Sequence, residues 1–316
     1  MPQRREFRIA SANLEHGGVS QAGDATRLGK TIEVLRRWSP DILLLQEVTA
    51  HTPDSTIPPL WGKPWDEQVR AVHDHAVRAD AATVGHLGHV ADALHMMPVL
   101  GPPMPMMFRR MHTAVLASPA LEIARTGPPM PATGSLTPPW TEVIVRMPDV
   151  PNELAVYSLH LPPRTATLQR VMAEWLASIV AEHGKLTVIG GDWNSLARAD
   201  DIGQSDLRAM KRVLRTARME VSGGELRPSY AVEDLFTAIG MLDAAAHLPP
   251  GKRKPPVLSP TGSAGCRVDR FEVSRQLAGA LYRYQQFDTG GSDHHAILLA
   301  LDRGALAVAA PPGQHS

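Results

Sequence analysis

LTVIGGDWN, Leu186–Asn194, is a nearly continuous apolar run that ends on two glycines, a carboxylate and an amide. The run Leu186–Ile189 reads as a strand covered on both faces, which places it inside a layered fold with helices outside a sheet. Gly190 and Gly191 allow close backbone approach or unusual φ/ψ at the strand end. Asp192 and Asn194 then project at its C-terminal edge, where layered α/β folds commonly bind ligands. The same pair also suits an Asx-turn, with both side chains bonded to their own backbone.

Five other segments carry polar groups at strand ends. DILLLQE, Asp41–Glu47, finishes on Glu47, an oxygen donor of the kind that hard cations such as Mg²⁺ require. SDHH, Ser292–His295, sits between Gly290-Gly291 and the final apolar strand and offers Asp293 as a metal ligand and His294 as an imidazole for a phosphate oxygen. In RVDRFEVS, Arg267–Ser274, Asp269 falls inside a strand; a buried carboxylate needs a partner, and His294 is the expected one. YSLHL, Tyr157–Leu161, places His160 at a strand end, and SANLE, Ser11–Glu15, places Asn13 at the end of the first strand.

Outward from these segments the chain alternates short apolar runs with amphipathic stretches, an α/β or α+β pattern. Strands are predicted at Phe7–Ser11, Ile42–Gln46, Thr113–Ala117, Glu142–Arg146, Leu154–Leu159, Leu186–Ile189, Arg267–Val273 and Ala296–Leu301. After Pro163, Leu168, Val171, Met172, Trp175, Leu176, Ile179 and Val180 mark the buried face of a helix. A second helix is predicted from an Asp24 N-cap, with Leu28, Ile32 and Leu35 turned inward. Residues 66–97 and 203–218 are also expected to be helical. GPPMP occurs twice, at Gly101–Pro105 and Gly127–Pro131, and both copies are expected to be loops, because Pro cannot donate to a sheet ladder. They suit a Met-bearing lip over a cleft, or simple chance in a chain with 28 prolines. No compositional break divides residues 1–303, which are expected to form one domain, with residues 304–316 a loose tail.

Lys+Arg and Asp+Glu balance at 32 each, so no global basic field exists to gather nucleic acid, although a local basic rim would suffice. The single cysteine, Cys266, precludes an internal disulfide and a Cys-based zinc site. The N-terminus lacks an apolar h-region and no stretch approaches a membrane span, so a cytoplasmic protein is expected.

The ordered series Asn13, Glu47, His160, Asp192 with Asn194, Asp269, and Asp293 with His294 resembles the endonuclease/exonuclease/phosphatase superfamily. That superfamily includes pancreatic-type deoxyribonucleases, abasic-site endonucleases, neutral sphingomyelinases and inositol polyphosphate phosphatases. The matching motifs are the N-terminal Asn, QE, HL, GDxN, RxD and the terminal SDH, spread over nearly the whole chain. The resemblance implies a deoxyribonuclease-like sandwich of two packed mixed β-sheets flanked by helices, with the site at one end. It implies Mg²⁺ (or Mn²⁺) held by Glu47, with Asn13 beside it and Asp293 available to a second cation. Asp192 would orient or deprotonate the attacking water, with Asn194 contacting phosphate. His160 and His294 would stabilise charge developing on phosphorus, and Asp269 would hold the His294 ring. Arg270 departs from the aromatic that many relatives carry after the RxD aspartate, and Glu15 is given only a secondary role. His160 resembles the deoxyribonuclease, sphingomyelinase and phosphatase branches more than the abasic-site branch, whose aromatic-rich recognition segment is not found.

The implied activity is phosphodiester hydrolysis of nucleic acid by direct water attack. Alternatives are a small-molecule or lipid phosphoesterase using the same site, and an inactive binding module. Only 5% aromatic residues weakens a case for broad stacking on nucleic acid. The helical stripe Lys211, Arg212, Arg215 and Arg218, and the basic loop Gly251–Lys254, read as solvated surface or as phosphate-backbone contacts. His73, His75, His86, His89 and His95 lack the pattern of a metal helix and read as a solvated face. Trp193 reads as core.

Overall fold

The computed structural model describes residues 5–19, 24–49, 82–102, 104–106, 109–127, 137–200, 210–248, 258–262 and 265–309. Two mixed sheets pack face to face. The first runs in the order β14 (Leu281–Phe287), β15 (Ala296–Asp302), β1 (Glu6–Asn13), β2 (Ile42–Val48), β5 (Arg109–Ala117) and β3 (Met97–Leu100), with β4 (Met104–Met106) also paired to β5. The second runs β12 (Met241–Asp243), β13 (Asp269–Ser274), β9 (Leu186–Asp192), β8 (Val150–His160), β7 (Trp140–Met147) and β6 (Glu122–Thr126). A small ribbon, β10 (Met219–Ser222) with β11 (Glu225–Pro228), stands apart.

The continuous apolar runs of the sequence have their cause in this layering. Alternate residues of β1 and β2 go to opposite sides. Phe7, Ile9, Ile42 and Leu44 meet Val156, Val188, Phe271 and Val273 of the facing sheet in the central core. Ala10, Ala12, Leu43 and Leu45 turn outward under the helix α1 (Thr26–Trp38) and the helix α2 at 82–94. On the second sheet, Ala155, Tyr157 and Ile189 are covered by Met172, Leu176 and Val180 of α3 (Ala166–His183). Each buried Val, Leu, Ile, Phe or Met side chain contributes about 1.5–3 kcal/mol, so the sandwich is a firm platform for whatever its ends carry.

All eight expected strands are present. The strands not predicted are β3, β4, β6, β10, β11, β12 and β14. The first GPPMP copy corrects an expectation: Met104–Met106 is paired antiparallel with β5, with Pro105 opposite Arg110. Pro98 likewise lies in β3, at the edge of its sheet, where an absent N–H disrupts no ladder. Of the second copy only Gly127 is among the described residues.

Asp24 accepts from the Thr26 amide at 2.9 Å, so it does satisfy the start of α1, although Ala25 holds the cap position. In α3, Val171 is exposed while Gln169 is buried, a one-residue rotation of the predicted stripe. Of the helix expected at 66–97, residues 82–94 are helical and 97 opens β3, while 66–81 lie outside the described residues. Of that expected at 203–218, Arg212–Arg218 is helical, and 201–209 lie outside the described residues. Arg303–Val308 forms a short helix with Leu306 fully buried. Among the described residues no helix is long and apolar enough to cross a membrane.

Candidate active site

Strand direction brings the polar motifs to one end of the sandwich. β1 and β2 are parallel, as are β8 and β9, so the C-terminal residues Asn13, Glu47, His160 and Asp192 emerge together. β13 runs antiparallel to β9 with Asp269 opposite Asp192, so its first residue arrives at the same end. His294 precedes β15, which is antiparallel to β1, and is bridged to Gly262. β13 begins two residues later than predicted; ahead of it, the amides of Val268 and Asp269 donate to Thr261 Oγ1 at 3.0 and 2.8 Å.

Two backbone irregularities aim the side chains. The pairing of β2 with β5 shifts by one residue between Leu45 and Val48, a bulge in which Glu47 takes a positive φ of 54°. Positive φ is unfavourable for a residue with a Cβ, and such strain is a feature of functional sites. Asn194 also has positive φ, 49°, which Asn tolerates well, and its amide N–H donates to Asp192 Oδ1 at 3.0 Å, the Asx-turn anticipated for GDWN. Gly191 has φ 149°, and a Cβ there would meet Leu159 O at 2.0 Å; only glycine allows β8 to lie this close beside the strand end.

Asp192 is the hub. Its Oδ2 accepts from Asn13 Nδ2 at 3.2 Å and lies 3.6 Å from His160 Nε2 and 3.8 Å from His294 Nε2. Asn13 Nδ2 also donates to Glu47 Oε1 at 3.3 Å, so one amide ties together a carboxylate from each sheet. Its Oδ1 is turned away, accepting from the Glu15 amide at 2.9 Å. Glu47 Oε2 accepts from the His16 amide at 3.0 Å, and Glu47 Oε1 lies 3.9 Å from His160 Nε2. Below them Gln46 donates to Ser158 Oγ at 3.0 Å, and Ser158 donates to Leu45 O, a polar seam between the sheets under the site.

His294 Nδ1 pairs with Asp269 Oδ2 at 2.8 Å, the partner expected from sequence. Burial alone pushes the imidazole pKa down, but the facing carboxylates Asp269 and Asp192 outweigh it and push it up to about 10. Asp192 is itself shifted upward, by burial and by Asp269, against the opposing pull of His294, His160 and Arg218. The result is a cationic imidazole beside a carboxylate with enhanced proton affinity.

The remaining predicted residues separate by position. Asp293 is exposed, 3.9 Å from His294 Nε2, and its amide donates to Glu15 Oε2 at 3.0 Å. Glu15 is paired with Arg27, whose Nε donates to Gly291 O at 2.8 Å, so it ties the SDH loop to α1. Trp193 is fully buried, its indole N–H donating to Arg270 O at 3.1 Å, with the Arg270 guanidinium over its ring. Arg270 is buried too, paired with Glu272 at 3.1 Å and bonded to Ser195, which satisfies its guanidinium in the interior. The histidine face expected to be solvated is only partly so: His86 is half-buried against Gly17 O at 2.9 Å, His89 and His95 are exposed, and His73 and His75 lie outside the described residues.

The basic stripe divides. Lys211 and Arg212 are exposed, whereas Arg218 is buried at 2% exposure and was not anticipated in the site. Its Nη2 donates to Asn194 Oδ1 at 3.1 Å and its Nε to Asn194 O at 3.2 Å. Gln169 Nε2 donates to the main-chain Asn194 O as well, at 3.0 Å, and Asn194 Nδ2 donates to Leu161 O at 3.0 Å, so main chain and side chain of this residue are both held. The loop Gly251–Lys254 lies outside the described residues. Glu47, His160, Asp192, Asn194, Arg218 and His294 face a cleft of about 140 Å³, with Pro163, Leu214, Gly262 and Val268 completing its wall.

The donors fit a hard divalent cation. Glu47, Asp192, Asp269 and Asp293 concentrate carboxylate oxygens at one end of the sandwich, and Asp192, Asp269 and His294 present ligand atoms within 4.8 Å of one another. Oxygen-rich sets with one or two carboxylates suit Mg²⁺ and Mn²⁺.

This fold and site define a class, and comparison with known proteins agrees. Residues 10–294 match the endonuclease/exonuclease/phosphatase family, and the chain belongs to that family, whose members are generally phosphoester hydrolases that use divalent metals. A family protein from Bacteroides vulgatus shares 12% identity and superposes with a TM-score of 0.60 over 94% of this chain and 99% of that one. Another, from Bacteroides thetaiotaomicron, shares 14% identity at a TM-score of 0.58, over 95% of this chain and 98% of that one. The endonuclease domain of TRAS1, a telomere-specific non-LTR retrotransposon, shares 11% identity at a TM-score of 0.53, over 94% of this chain and 98% of that one. At these identities the similarity is one of fold. A comparison with curated protein sequences returned no match.

Proposed function

We propose that this chain is a Mg²⁺-dependent phosphodiesterase that cleaves nucleic acid by direct attack of water. The observation that carries the reading is the convergence on Asp192 Oδ2 of Asn13, His160 and His294, all within 3.8 Å. Asp192, raised in proton affinity by burial, is suited to orient a water and accept its proton. Asn194, fixed by Arg218, Gln169 and the Leu161 carbonyl, keeps one amide N–H for phosphate. His294, held cationic by Asp269, and His160 present Nε2 toward the position where charge on phosphorus develops. Glu47 would hold the cation, with Asn13 beside it and Asp293 at the rim for a second. The cation supplies neutralisation of the phosphate's charge. None of the side chains needs to become a covalent nucleophile.

Nucleic acid is favoured over a small ester by the cleft's flank. The helix Arg212–Arg218 contributes Leu214 and Arg218 to the cleft wall and carries the exposed Arg212 just after the exposed Lys211. Cations so placed suit a neighbouring backbone phosphate, and the fold is shared with a retrotransposon endonuclease domain. The test is hydrolysis of plasmid DNA, single-stranded DNA, RNA, a chromogenic phosphodiester and a phosphomonoester with Mg²⁺, Mn²⁺ or EDTA. Metal-dependent cleavage of nucleic acid is expected. Turnover confined to the monoester would place the chain with the phosphatases instead, and silence throughout would favour an inactive binding module.

A further inference from the structure

Arg218 combines three properties that a surface arginine in a basic stripe does not have. It is buried at 2% exposure, it lines the cleft beside Asn194 and His294, and two of its three nitrogens are committed to one residue, Asn194. The third, Nη1, is buried with no hydrogen-bond partner. Buried donors are satisfied in the great majority of cases, and an orphaned charged donor carries its full desolvation cost. No carboxylate forms an ion pair with the guanidinium among the described residues, in contrast to the other fully buried arginines, Arg267 (with Asp200 and Asp243) and Arg270 (with Glu272). A buried guanidinium with an unpartnered donor, on a residue that lines the cleft, suits an anionic group there.

We propose that Arg218 is a substrate-contacting residue whose Nη1 takes a non-bridging phosphate oxygen while its Nε and Nη2 fix the Asn194 amide beside it. The proposal rests on the phosphoesterase reading and deepens it, giving the cleft a fixed cation of its own in addition to the two imidazoles. The planar fork explains the choice of residue: lysine supplies charge from a single atom and cannot hold the Asn194 carbonyls while reaching a phosphate. It also explains why Leu214 and Pro163 share the wall, since apolar neighbours strengthen a charged hydrogen bond by excluding water.

The experiment compares wild type, Arg218→Met and Arg218→Lys at fixed Mg²⁺, reading the inhibition constant of inorganic phosphate and the KM and kcat for a chromogenic phosphodiester. Arg218→Met should weaken phosphate affinity and raise KM by about tenfold or more, with Arg218→Lys recovering part of both. Phosphate affinity unchanged in a folded Arg218→Met would overturn the proposal. Should the Met variant not fold, the Lys variant and the wild type decide it. The Arg218 Nε–H resonance, identified by its loss in the Lys variant, should shift when phosphate is added to the wild type; a resonance that stays still overturns the proposal. Asp192→Asn separates the two levels. A folded Asp192→Asn that still turns over counts against the phosphoesterase assignment. Turnover that requires Asp192 but ignores Arg218 counts against Arg218 alone.

Discussion

His294 and Asp269 stand 25 positions apart in the chain, yet Nδ1 and Oδ2 are 2.8 Å apart, with the other ring nitrogen turned to Asp192 Oδ2 at 3.8 Å. The ring is thereby oriented from one side and presented from the other. Asp269 sits at the start of β13, directly opposite Asp192 in the register, so the sheet itself fixes the spacing of the two carboxylates that the imidazole bridges.

The first prediction concerns pH. His294 is raised from 6.5 to about 10 in the folded protein, so the native state keeps a proton that the unfolded chain releases above 6.5. Its contribution to stability is therefore complete below pH 6.5 and lost as pH rises through 10. In EDTA, the melting temperature of the wild type should fall across that window, and His294→Gln should show a flatter profile. Parallel profiles would mean that the Asp269–His294 pair does not hold the proton.

Removing the ring's partner should separate orientation from chemistry. Asp269→Asn keeps the shape but not the charge, and kcat should drop about 10-fold to 100-fold, whereas His294→Ala should cost about 10²–10³-fold. Equal activity in Asp269→Asn and wild type would show that Asp269 is only a structural acceptor.

Glu47 is predicted to set the metal requirement. Glu47→Gln preserves the backbone and the space but removes the charge, and the Mg²⁺ concentration for half-maximal activity should rise by roughly 10–100-fold or more. An unchanged titration would show that the cation is held elsewhere.

Gly191 supplies a prediction about stability. A methyl group there meets Leu159 O at 2.0 Å on a backbone with φ 149°. Gly191→Ala should destabilise by about 3 kcal/mol and, by forcing β8 away from β9, reduce activity in whatever fraction still folds. A normal melting temperature would show that the strand end relaxes freely.

The sequence shows the layered architecture because strands covered on both faces leave runs such as ILLL and LTVI that solvent-facing strands cannot carry. It shows Asp192, Asn194, Glu47 and His160 for a related reason: each is a polar residue that abruptly ends such a run. Arg218 does not stand out, because Arg212 and Arg215 of its helix share its charge and only tertiary packing against Asn194, 24 positions earlier, removes it from solvent. Glu15 and Arg27 hold the SDH loop through long-range contacts that no local pattern records. β3 and β4 are hidden by their prolines, which edge strands accept and central strands do not.

Whether Asp192 anchors a water-attacking phosphoesterase site is tested most directly by phosphodiester hydrolysis by wild type and Asp192→Asn across a Mg²⁺ titration, with the fold of both checked by thermal melting. Metal-dependent turnover is expected in the wild type, with a loss of about 10²–10⁴-fold in a folded Asp192→Asn. Turnover in the folded variant equal to wild type would contradict it.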